Sequence, residues 1–224
     1  NMVAKANLAI TGTQVYNGTA TIAGASLTVS GVGGESFTAT GLAELTTKNV
    51  QTNQQLSNTN GLTITANGSA TLDNYFPVSV ANTIVSVTPL AITLTAPAIT
   101  KTYDGGYTYN MTSADLTAMS TQLVGGDRVT AASVVFTGNN PNVGTNKSVS
   151  LNSATISDGN SGSNYTVTLA SSTTSAVTPV SLTMTANNAS KFVTQSDTSG
   201  FNGVVYSGFV NGETASSALS GTLT

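Results

Sequence analysis

Leu90-Ala91-Ile92-Thr93-Leu94 and, a few residues on, Lys101-Thr102-Tyr103-Asp104-Gly105 make up the stretch from which the rest of the chain can be laid out. Leu90, Ile92 and Leu94 alternate with Ala and Thr at period two, as a half-buried strand requires, and Asp-Gly supplies turn chemistry. The same opening stands elsewhere as Leu8-Ala9-Ile10-Thr11 with Val15-Tyr16-Asn17-Gly18, and as Val180-Ser181-Leu182-Thr183-Met184 with Lys191-Phe192. The starts at residues 8, 90 and 180 lie 82 and 90 residues apart, a period that implies one small domain per repeat and not one coil of a solenoid. Val87-Thr88-Pro89 and Val177-Thr178-Pro179 close the first two units directly before the next apolar strand. The expected division is therefore 1–89, 90–179 and a shorter 180–224, joined at Pro89 and Pro179 with almost no linker. Such an arrangement reads as a semi-rigid rod.

Four internal landmarks keep their order between the first two units. Tyr16-Asn17-Gly18 answers Tyr103-Asp104-Gly105, Val32-Gly33-Gly34-Glu35 answers Val124-Gly125-Gly126-Asp127, Asn49-Val50 answers Asn142-Val143, and Asn74-Tyr75 answers Asn164-Tyr165. Between them, period-two alternation recurs at Val78/Val80, Val85/Val87, Val149/Leu151, Tyr165/Val167/Leu169 and Leu182/Met184, with Gly and Asn clusters at short intervals. The picture is many short antiparallel strands. One stretch, Ala114 to Leu123, spaces Leu116, Met119 and Leu123 as a helix of a turn or two would. In the Tyr-Asx-Gly landmark the tyrosine is expected to plug one end of the core, while Asx and Gly make a tight turn with Gly at positive φ. Asn17 in place of Asp104 keeps that turn and drops the charge.

These residues resemble a known repeat. Tyr103-Asp104-Gly105, Val124-Gly125-Gly126-Asp127, Asn142-Val143-Gly144-Thr145, Ser163-Asn164-Tyr165-Thr166 and Thr178-Pro179 look like the YDG-type repeat of large bacterial surface proteins. The first unit resembles it too, departing at Asn17 and Gln51. The third, Leu182 to Ala189 with Tyr206-Ser207-Gly208-Phe209-Val210-Asn211-Gly212-Glu213, resembles the related MBG-type repeat, departing at Phe192-Val193. The resemblance implies secreted adhesins and biofilm matrix proteins, including filamentous-haemagglutinin-like products, whose repeats form a stalk outside the bacterial cell. It implies no catalytic residue.

Composition narrows the chemistry. With neither His nor Cys among 224 residues, the chain lacks Ser-His-Asp triads, Cys-His pairs, His-ligated zinc and thiol redox chemistry. Only 7% of residues are charged, well below the roughly 25% usual in soluble domains, so hydroxyls and amides must carry the surface. The six cations, Lys5, Lys48, Lys101, Arg128, Lys147 and Lys191, stand singly, which argues against nucleic acid as a partner. Residues 74–100 hold no charge, yet Pro89 and Pro97 interrupt them and Thr alternates with the apolar residues, so strands and not a membrane span are expected. Asp158-Gly159-Asn160-Ser161-Gly162 offers oxygens for calcium but lacks the acid spacing of a calcium loop. No cofactor is expected.

The fold class these features point to is all-β: tandem small antiparallel β-sandwiches of immunoglobulin-like type in a rod. A β-grasp-like repeat is the alternative if 114–123 forms a full helix across a sheet. The function expected is that of a non-enzymatic stalk or spacer whose partners are its neighbouring repeats, holding a distal domain toward a host or matrix ligand. Two alternatives stay open. One repeat could bind glycan or protein through Tyr107 and Tyr109, which alternate after the Tyr103 turn, or a free sheet edge in the last repeat could accept a strand from another chain.

Overall fold

The computed structural model describes residues 4–188 and 203–221; Lys191 and Phe192 of the third opening lie outside the described residues. The fold is all-β, with 47% of residues in strands against 13% in helix. Seven strands precede Pro89: β1 (Ala9–Val15), β2 (Thr21–Ala23), β3 (Leu27–Ser30), β4 (Ser36–Glu44), β5 (Gln51–Gln54), β6 (Leu62–Ala66) and β7 (Thr83–Thr88). After it come β8 (Leu90–Thr95), β9 (Thr100–Thr102), β10 (Thr108–Tyr109), helix α1 (Ser113–Ser120), β11 (Arg128–Phe136), β12 (Gly144–Ser157), β13 (Tyr165–Ala170) and β14 (Ser172–Thr178). The third segment adds β15 (Thr183–Ala186), β16 (Val204–Ser207) and the single-turn α2 (Ala215–Ala218).

The chain gathers into two compact units, and they differ from the division expected at residues 89/90 and 179/180. One comprises Asn1–Thr95, Met111–Ala132 and Ser153–Ala170; the other comprises Ala96–Asn110, Ser133–Asn152 and Ser171–Thr224. In the first unit the sheet runs β2-β4-β3-β1-β7-β5 with β6 also on β4, and β8 pairs β13 separately. Alternate residues of these strands, among them Ile10, Leu27, Val29, Phe37, Val85 and Val87, turn inward. Each such side chain contributes about 1.5–3 kcal/mol by leaving water. The core does not stop at Pro89. Ile156 and Tyr165 are buried in the same cluster as Leu8, Tyr16 and Tyr75, with Leu90, Ile92, Leu123 and Val124 packed against it. Residues before Pro89 therefore share their core with residues that follow it, because Tyr16 and Tyr165 meet there edge to face.

The second unit has its own core of Ile99, Val134, Phe136, Val149, Leu151 and Val177, on the sheet β10-β11-β12-β14-β9. Strands β11 and β12 contribute residues to both units. Buried Ser175 uses its Oγ to accept the Ile99 N–H at 3.0 Å, so a polar group in this core has a partner.

The expectation of wholly antiparallel pairing needs correction. β1 lies parallel to β7 from Ile10↔Thr83 to Val15↔Thr88, β8 parallel to β13 from Tyr165↔Leu90 to Ala170↔Thr95, and β9 parallel to β14 from Ala176↔Thr100 to Thr178↔Thr102. Parallel neighbours need a long crossover. The dozens of residues between each pair provide it: before Pro89 the first and last strands run side by side in the same direction, and after it the first two strands, β8 and β9, run alongside the last two, β13 and β14.

Three further expectations differ. Val78 and Val80 form no strand, though both are half-buried. Val167 and Leu169 are exposed, since β13 has only β8 beside it, and so are Leu182, just before β15, and Met184 on the two-stranded β15–β16 ladder. Helix α1 spans eight residues, opened by a Thr112/Asp115 capping box, and buries only Met119, where the sequence spacing had Leu116 and Leu123 beside it.

Candidate functional site

The four landmark motifs converge on a polar cluster in the first unit. At its centre is Asp127, 6% exposed. Its Oδ2 accepts hydrogen bonds from the hydroxyls of Tyr16 at 2.7 Å and Tyr165 at 2.8 Å, and its Oδ1 pairs with Lys48 Nζ at 2.7 Å. The two phenol rings stand edge to face with centroids 5.4 Å apart, a favoured aromatic geometry. Lys48 Nζ also lies 5.7 Å from the Tyr16 ring centroid. Charge-assisted bonds in such a setting are about twice as strong as neutral ones.

The turn that carries Asp127 explains its placement. Gly125 and Gly126 take φ of 64° and 78°, and the Asp127 N–H closes the turn on the Val124 carbonyl at 3.1 Å. Tyr165 seals it by accepting the Val124 N–H at 3.1 Å. Gly18 of Tyr16-Asn17-Gly18 rests directly on this turn: a Cβ on Gly18 would fall 2.3 Å from Gly125 Cα. Asn17 shapes that loop by accepting the Thr19 N–H at 3.0 Å, just as Asp104 accepts the Gly106 N–H at 2.8 Å.

A second leg runs through Asn164, which is 0% exposed. Its Nδ2 donates to Asn49 Oδ1 at 3.0 Å, while its Oδ1 accepts the Val50 N–H at 2.9 Å and Asn160 Nδ2 at 3.0 Å. The Asn164 N–H in turn donates to Asp158 Oδ2 at 3.0 Å, and Asp158 Oδ1 takes the N–H groups of Asn160 and Gly162 at 2.7 and 2.9 Å. Burial pushes the Asp158 carboxyl upward, but these backbone donors outweigh it and hold the group below its ordinary value. Both carboxylate oxygens of Asp158 thus face N–H donors. No cluster of three or more metal-ligating side chains occurs among the described residues. Because every polar atom of Asn164 is matched, Asn164→Ala is expected to cost about 2–3 kcal/mol by stranding the Val50 N–H and Asn49, read as a lowered urea midpoint.

The same geometry recurs twice more. Before Pro89, Val32-Gly33-Gly34-Glu35 makes the same turn, with φ of 66° and 85° at its glycines. Tyr75 seals it by accepting the Val32 N–H at 2.9 Å and donating to the Glu35 carboxylate. In the second unit, Val210-Asn211-Gly212-Glu213 closes likewise through the Glu213 N–H on the Val210 carbonyl at 3.0 Å, with Asn211 and Gly212 at φ of 53° and 73°. There Tyr103 Oη donates to Glu213 at 2.5 Å and Asn211 Nδ2 donates to the Gly105 carbonyl at 3.3 Å. A Cβ on Gly105 would fall 2.3 Å from Asn211 Cβ, matching Gly18 on Gly125. The backbone joins match too: Tyr16 N–H donates to the Thr88 carbonyl and Tyr103 N–H to the Thr178 carbonyl, both at 2.8 Å.

Of the remaining sequence candidates, Tyr107 is 40% exposed and Tyr109 half-buried in β10. Pro89 and Pro179 are exposed and sit directly after β7 and β14. Asp104 pairs with Lys101 at 2.7 Å, which holds its carboxyl below the ordinary value. The carboxylate is mostly in solvent, so the pair adds little stability. Sequence alone does not join Lys48, one of six single cations, to Asp127, which ends a Val-Gly-Gly-acid landmark 79 residues away. The signal was in the landmarks: Lys48 precedes Asn49-Val50, and Asp127 ends the Val-Gly-Gly-acid turn.

The cluster predicts alkaline lability. Burial, then Asp127, raises the Tyr16 phenol above 10.0. Burial likewise raises Tyr165, with the Asp127 carboxylate adding to it, and hydrogen bonding to Asp127 and then Tyr16 raises Lys48 above 10.5. Groups whose folded pKa exceeds the unfolded one stabilise fully below the unfolded value, and that stability is lost as pH rises through the folded one. The urea midpoint is expected to hold from about pH 7 to 9 and to fall above about pH 10, with a shallower fall in Tyr16→Phe. An unchanged midpoint at pH 11 would contradict this reading.

Comparison with known proteins finds a YDG domain at residues 88–176. No curated protein and no solved structure matches the chain. No helix among the described residues is long and apolar enough to cross a membrane.

Proposed function

We propose that this chain is a stalk or spacer segment of a secreted bacterial adhesin or biofilm matrix protein, holding a distal binding domain away from the cell surface. In this reading residues 1–89 and 90–179 are two YDG-type repeats of sandwich type, and 180–224 belongs to an MBG-type repeat. Its partners are its own neighbouring repeats, and it neither acts on a substrate nor takes a cofactor.

One observation carries the proposal: the Tyr-Asx-Gly loops of the first two segments rest on the Val-Gly/Asn-Gly-acid turn of the segment that follows, at Tyr16 with Asp127 and at Tyr103 with Glu213. A junction built twice from the same landmark residues, and closed by a buried acid in the first case, supports a chain whose task is to fix each repeat against its successor. The carboxylate of Asp127 is held by two phenols and an ammonium, an arrangement suited to joining segments and not to taking a proton from a substrate.

Small-angle X-ray scattering on the chain, and on the chain lengthened by further copies of residues 90–179, tests the reading. The expected result is a maximum dimension that grows by a constant increment per added copy. Growth only with the cube root of mass, as compact packing gives, would overturn it.

A further inference from the structure

The turn Val32-Gly33-Gly34-Glu35 shares its backbone form with the two turns that receive a Tyr-Asx-Gly loop, and its sealing tyrosine with the Val124–Asp127 turn, yet among the described residues its outer side is open. Asp127 is buried, whereas Glu35 is half-buried and Val32 is 62% exposed. Gly125 is overlain by Gly18 and Asn211 by Gly105, whereas a Cβ on Gly33 would meet nothing within 4 Å. The second leg differs in the same sense: Asn164 is fully buried by its bonds to Asn49 and Val50, while its counterpart Asn74 is exposed. Both halves of the receiving surface are thus formed, side by side in sequence order, with the acid already gripped by Tyr75 as Asp127 is gripped by Tyr165.

We infer that the Val32–Glu35 turn, together with Asn74, is a docking surface for the Tyr-Asx-Gly loop and the Asn-Val segment of a repeat of the same kind placed ahead of it in the same polypeptide. The incoming tyrosine would donate to Glu35, its Gly would lie flat on Gly33, and the Asn-Val pair would engage the Asn74 amide. The match argues for this occupant over a generic apolar partner. The surface offers a carboxylate, a bare glycine and an amide in the order that the Tyr16 loop and Asn49-Val50 require, and a side chain larger than Gly over Gly33 could not approach as Gly18 approaches Gly125. This inference rests on the repeat reading above and adds to it the identity of the group each turn receives.

The test is a chain carrying an extra copy of residues 90–179 ahead of the full sequence. Glu35→Gln, Tyr103→Phe in the added copy, and both together would be compared by urea denaturation, with Asp127→Asn and Tyr16→Phe in the parent as the reference cycle. Coupling of about five- to tenfold in the folding equilibrium is expected for both cycles, and the Gly33 and Gly34 amide resonances should shift on fusion. Additive effects at Glu35 with unmoved Gly33 and Gly34 amides would overturn the inference. If the fused chain still lengthens by the constant increment in scattering, only the docking inference fails; if it does not lengthen, the stalk reading fails with it. Should the parent chain dimerise in sedimentation and Glu35→Gln abolish the dimer, the occupant would be a second molecule and the proposal wrong as stated. A longer fusion, residues 4–179 ahead of the chain, gives the same measurements if the shorter one does not fold.

Discussion

Asp127→Ala is expected to lower the stability of its unit by about 3–4 kcal/mol, a fall of roughly 6–16 °C in Tm for a chain of this size. The substitution removes the one acceptor shared by Tyr16 and Tyr165, leaving two buried hydroxyls without their charged partner. It also leaves Lys48 without its carboxylate. The Lys48 side chain is 31% exposed, so it can recover some hydration, and the cost stays below that of a fully buried charge stranded in an apolar core. Asp127→Asn keeps one oxygen facing both phenols but loses the charge and the acceptor for Lys48, and is expected to cost about half as much. A loss within about 1 kcal/mol of the parent for Asp127→Ala would mean that the cluster contributes no more than an exposed ion pair.

Gly18→Ala is expected to be nearly as damaging, for a steric reason. The residue sits at φ of 79°, where a side chain costs about 1–2 kcal/mol. The new Cβ would also lie 2.3 Å from Gly125 Cα and 2.8 Å from its nitrogen, backbone atoms that cannot rotate aside. The loop must lift off the turn, and the total is expected near 3 kcal/mol. Gly126→Ala supplies the control: its φ of 78° is the same, but nothing lies within 4 Å of the added carbon, so only the conformational cost of about 1–2 kcal/mol remains. Equal losses in the two variants would show that the close approach of Gly18 to Gly125 contributes nothing.

The strands were legible where the alternation was strong and one face met a core, as at Val85/Val87 and Val149/Leu151. The same pattern misled at Val167/Leu169 and Leu182/Met184, because period two says which residues share a face but not whether anything covers that face. Direction was illegible for a related reason. Leu90-Ala91-Ile92-Thr93-Leu94 has the same alternation whether its neighbour runs with it or against it, and its neighbour Tyr165–Ala170 arrives some 70 residues later.

The landmarks were visible as spacings, and their turn chemistry could be read locally. That Tyr16 meets Asp127 could not be read, because the two belong to different copies of the pattern and lie 111 residues apart. A repeat compared only with itself shows which residues recur, whereas the contact joins one motif to a different motif further along. The expectation of self-contained beads fails at the same place: Tyr165 and Ile156 complete a core begun before Pro89.

The parallel pairing of β1 with β7 decides how these two strands would respond to a pull between Ala9 and Thr88. With both strands pointing the same way, tension entering at Ala9 and leaving at Thr88 pulls them past each other lengthwise, so the six register pairs from Ile10↔Thr83 to Val15↔Thr88 resist together in shear. An antiparallel pair of terminal strands would instead peel open one rung at a time.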